Sequence, residues 1–123
     1  MDLDPAELAR IRRQLLDQPG PIADDPGALD NELARLDAGA YAARRQAREA
    51  GAERPADDEA HYHRRRAWVL ARLARHRGGR WELLADDAVS SWHQAEAAAG
   101  AEAVSNQLAA EAAHWLSTRP AAD

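Results

Sequence analysis

The chain has 123 residues, with 16 arginines, no lysine, 21 acids and a formal net charge of −5. The absence of cysteine excludes disulfides, thiolate metal sites and cysteine nucleophiles, and the absence of lysine excludes a P-loop lysine and Schiff-base chemistry. Alanine supplies 31 residues and phenylalanine none, which predicts an ordered helical domain with a thin core, the kind often completed by a partner or by self-association.

The acidic start, Met1-Asp2-Leu3-Asp4, is followed by no long apolar run and reads as a cytoplasmic chain with neither leader nor membrane span. The first helix is signalled by Asp4 as a cap, Pro5 at its first position and Glu7 at capping-box spacing. Leu8, Ile11 and Leu15 give it an apolar face, and Pro19-Gly20-Pro21 stops it. A loop to Gly27 leads into a second helix over about 28–50, with Leu29, Leu33, Leu36, Ala40, Ala43 and Ala47 on one side. Gly51 to Pro55 breaks the chain again.

The third helix opens on Asp57-Asp58-Glu59, acids suited to the positive end of a helix dipole, and runs to His76 or Arg77 before Gly78-Gly79. The fourth carries Trp81, Leu84, Ala88, Trp92, Ala95 and Ala99 at three-four spacing, and Gly100 interrupts it. A fifth carries Val104, Leu108, Ala112 and Trp115 and ends at Arg119-Pro120. No segment alternates with period two. The expectation is an all-α, compact four- or five-helix bundle with no β-strands: residues 1–118 form a single helical domain and 119–123 a flexible C-terminal tail.

Few constellations carry chemistry. The letters Asp58-Glu59-Ala60-His61 suggest a helicase motif, but neither an apolar strand nor a phosphate-binding loop accompanies them. Helix four has His93 and Glu96, and helix five Glu111 and His114, at the three-residue spacing used by carboxylate-histidine metal bundles. His93 and His114 fall toward solvent, and further inward carboxylates would have to come from residues such as Glu32 or Glu59. Glu and His three apart recur by chance in an alanine- and glutamate-rich helix, so the spacing reads first as a solvated edge pair. No catalytic set can be assembled and no cofactor is implied.

The main anomaly is charge. No acid lies between Ala60 and Trp81, whereas seven arginines do. On a helical wheel His61, Arg64, Arg65, Trp68, Arg72, Arg75 and His76 share one face, with Tyr62, Val69, Leu70 and Leu73 on another. The expectation is that the Tyr-Val-Leu side is buried and that an arginine stripe with Trp68 at its centre is presented to solvent. Trp81, Trp92 and Trp115 read instead as core anchors.

Arginine and tryptophan are enriched at binding hot spots, so the stripe suggests a protein-interaction module. Such a module, an adaptor, accessory subunit or inhibitor, would dock an acidic partner surface or a second copy of the chain. Nucleic-acid binding through the same arginines is the alternative, set against an acidic chain overall. A third possibility is that the stripe pairs within the chain, with Asp86-Asp87 and the acids around Asp24-Asp25 as candidate partners.

Overall fold

The computed structural model describes residues 3–100, which form four helices and no strand. The expected fifth helix, with Glu111, His114, Trp115 and the 119–123 tail, lies outside the described residues.

The first helix, α1 (Pro5–Asp17), begins where Asp4 Oδ1 accepts from the Glu7 amide at 2.8 Å. In α2 (Pro26–Glu49), Asp25 does the same for the Ala28 amide at 3.0 Å. Both helices carry proline at the first turn, where the missing N–H costs nothing. At the other end of α2 the Gly51 and Ala52 amides donate to the Arg48 and Ala47 carbonyls, a Schellman closure with Gly51 at φ 72°.

The turn between α3 (Ala56–Arg77) and α4 (Arg80–Ala98) consists of Gly78 and Gly79, at φ 65° and 58°. Two successive left-handed residues are open only to glycine at low cost, and they reverse the chain at once. The tightest pairing in the fold, α3 against α4, follows from that turn.

Helix α3 lies at the centre, packed by α1, α2 and α4. Every residue from Ala67 to Ala74 is buried, so the middle of α3 has no solvent face. The core gathers Ile11 and Leu15 from α1, Leu29 from α2, Val69, Leu70 and Leu73 from α3, and Ala85, Val89 and Trp92 from α4. Trp92 is fully buried, and the partly buried Trp81 packs against the same cluster. No helix among the described residues is long and apolar enough to cross a membrane.

Candidate functional site

The structure corrects the placement of the arginine stripe. Trp68 is only 2% exposed, and its Nε1 donates to the Gln18 carbonyl at 3.0 Å. The guanidinium of Arg72 stacks over the indole at 4.4 Å and is itself buried. It donates to the Leu16 and Gln18 carbonyls at 3.1 and 2.6 Å, and to Asp24 Oδ2 at 3.0 Å. Residues 18–25, joining α1 to α2, therefore lie across the face that the helical wheel assigned to solvent. The wheel locates arginines correctly on one side of α3, but it cannot show that another segment of the chain covers that side.

The remaining stripe residues have equally specific surroundings. Arg75 and His76 join Arg72 on Asp24, with His76 Nε2 at 2.8 Å from Oδ1. Partial burial works to raise the Asp24 pKa, but the His76 hydrogen bond and the charges of Arg72 and Arg75 outweigh it and hold the carboxyl below its ordinary value. Arg64 is buried and donates to Glu96 Oε1 at 3.0 Å and to His61 Nδ1 at 2.9 Å. Arg65 is half-buried beside Glu32, Leu36 and Val69.

Outside the stripe, Arg77 pairs with Asp30 through two bonds, at 2.9 and 2.6 Å. Arg66 Nε and the Tyr62 hydroxyl both donate to Asp37 Oδ1, at 3.1 and 2.6 Å. Burial, reinforced by the Asp37 bond, pushes the Tyr62 phenol up to about 12. Arg44 on α2 meets Glu59 on α3 in the opposite sense, through bonds of 2.8 and 2.6 Å. These contacts form an antiparallel ladder of charge between α2 and α3. Asp24 was anticipated from the sequence; Asp30 and Asp37 were missed, although their seven-residue spacing on one helix was a readable signal.

Of the metal candidates, His93 is half-buried on α4 and Glu96 is only 4% exposed. Glu96 Oε1 accepts from both Arg64 and Trp92 Nε1, the latter at 2.7 Å. That leaves Glu96 as the anion of a buried pair, and no cluster of three potential metal ligands occurs among the described residues.

A cleft at the loop end of the α2–α3 hairpin, beside residues 50–55, was not anticipated. It encloses about 540 Å³ between Tyr41, Arg44, Arg48, Glu53, Arg54 and Glu59. Tyr41 is 64% exposed, the only aromatic residue of α2 and off its apolar face. Glu59 is held below its ordinary pKa chiefly by the Arg44 hydrogen bond, with Arg54 adding charge from 3.5 Å. Arg54 Nη1 is buried without a hydrogen bond, and Arg48 has no carboxylate partner among the described residues. Below the cleft, the guanidinium carbons of Arg44 and Arg54 lie 5.3 and 5.9 Å from the Tyr62 ring centre.

No known family matches. Neither curated proteins nor solved structures give a match to this chain either. The geometry of the cleft is therefore the basis for a functional reading.

Proposed function

We propose that this protein is a small helical interaction module that docks an acidic segment of a protein partner in the cleft between α2 and α3. The observation that carries this reading is the exposed Tyr41 beside Arg48, which meets no carboxylate among the described residues, and Arg54, which meets Glu59 at 3.5 Å without a hydrogen bond from its Nη1. A carboxylate entering the cleft gains charge-assisted bonds from Arg48, with Arg54 adding charge, while its neighbouring atoms pack on the tyrosine ring. Three guanidinium groups against two carboxylates leave the lining with a surplus positive charge.

The α3 stripe is a weaker basis for binding either a protein or a nucleic acid. Arg72, Arg75 and His76 share Asp24, and Trp68 is covered, so an incoming phosphate or carboxylate would first have to displace an internal acid.

The test is an NMR titration of the full chain with a short polyglutamate peptide carrying one aromatic residue. The expected result is saturable shifts at Tyr41, Arg48 and Arg54 that weaken with salt and vanish in Arg48→Glu. Shifts centred on residues 61–76, or no difference between wild type and Arg48→Glu, would overturn the assignment.

A further inference from the structure

A second surface lies toward the opposite end of α3, roughly 20 Å from the cleft given a rise of about 1.5 Å per residue. On the first two turns of α4, Leu83 is 69% exposed and Leu84 37%; with Tyr41 they are the exposed large hydrophobics among the described residues. Arg80 stands three residues before this leucine pair and Asp87 three after it, and at 100° per residue all four side chains fall on one outward arc. Both charged residues are exposed. Arg80 lies 5.6 Å from the Trp81 ring centre but meets no carboxylate, and Asp87 meets no cation, among the described residues.

The order cation, leucine, leucine, anion is self-complementary. A two-fold axis between Leu83 and Leu84 sets two α4 helices antiparallel, joins four leucine side chains and brings Arg80 of each copy to Asp87 of the other. We infer that the Arg80–Leu83–Leu84–Asp87 face of α4 is a homodimer interface whose occupant is a second copy of this chain. This surface is independent of the cleft, and its residues take no part in the binding proposed there.

Self-pairing removes two large apolar side chains per copy from water and neutralises two charges per copy at the rim, where ion pairs set register and orientation more than affinity. A contact two helical turns long is smaller than the standard interface of about 1,600 Å², which places the dimer among weak, transient associations. The dimer therefore forms and dissociates with concentration.

Sedimentation velocity on the full chain from about 1 to about 500 μM reads this directly. The expected result is a rise from the monomer mass toward twice that value. Leu83→Asp should remain monomeric with unchanged helical circular dichroism. Arg80→Asp and Asp87→Arg should each weaken the dimer by about tenfold or more, since each sets like charges opposite one another. The combined Arg80→Asp/Asp87→Arg chain should recover to within about threefold of wild type, because the swapped charges again face each other. A wild-type chain that stays monomeric throughout overturns the inference, whether residues 101–123 or another protein covers the leucines. Dimerisation that the charge swap fails to restore overturns the two-fold register.

Discussion

Gly20 lies so close to the indole of Trp68 that a Cβ at position 20 would stand 2.1 Å from Trp68 Cζ2. The ring is buried and fixed by its bond to the Gln18 carbonyl, so neither side can yield cheaply. Gly20→Ala is expected to destabilise the fold by about 1–3 kcal/mol through overpacking. Gly39, within α2, has nothing within 4 Å of its prospective Cβ, so Gly39→Ala is expected to stabilise by about 0.5–1 kcal/mol. Urea denaturation of both variants measures these opposite signs; equal behaviour would mean that the α1–α2 connection does not lie on Trp68.

Trp68 is a keystone of the core rather than an exposed anchor. Trp68→Ala should cost about 3–5 kcal/mol, close to the whole stability of a small domain, and reduce far-UV helicity at room temperature. Trp68→Phe keeps most of the packing but removes the donor to Gln18, whose carbonyl still accepts from Arg72 at 2.6 Å. Its cost should be nearer 1–2 kcal/mol. A Trp68→Ala chain with unchanged helicity and melting temperature would return this residue to the surface.

Arg64 and Glu96 form a buried ion pair, about 5% exposed on each side. Glu96→Ala should cost about 3–5 kcal/mol, because it takes the carboxylate away from a buried guanidinium and leaves Trp92 Nε1 without its acceptor. Replacing both partners, Arg64→Met with Glu96→Leu, should restore part of that loss, since the apolar pair carries no desolvation penalty while Trp92 Nε1 still lacks its acceptor. Thermal melts of the two variants decide the matter: a double variant as unstable as Glu96→Ala would show that the pair is not the main contribution.

Burial holds the His63 imidazole below its ordinary value of 6.5, aided by Arg44, Arg66 and Arg54 and opposed by Glu59. The unfolded chain therefore takes up this proton more readily. The stability due to His63 staying neutral is complete above about pH 6.5 and is lost as the pH falls toward the depressed folded value. Asp24 and Glu59 are also held below their ordinary values, 3.8 and 4.5, so their losses begin only in more acid solution. Urea midpoints at about pH 7.5 and 5.5 should fall for wild type and change much less for His63→Gln. An identical fall in both would assign the pH dependence to another group.

Local signals in the sequence determined the four described helices. Asp4 with Pro5, and Asp25 with Pro26, give cap and first-turn chemistry confined to a few residues, and Gly78-Gly79 meets a backbone requirement at a single turn. The three-four spacing on α4 correctly placed Ala88 and Trp92 in the core, but Leu84 on the same stripe is exposed, because the periodicity does not show how far along α4 its neighbours reach. Helix α3 was harder to read because it has neighbours on three sides, and an amphipathic wheel assumes that the polar side faces water. Its arginines meet acids 29 to 51 residues away, at Asp37, Asp30 and Asp24, and a charge satisfied at that distance looks the same in sequence as one left in solvent. The cleft at Tyr41, Arg48 and Arg54 exists only once α2 and α3 are paired antiparallel. Sequence periodicity fixed which residues share a helix face, since that depends on the local backbone; burial of that face depended on long-range packing, which only the tertiary structure decided.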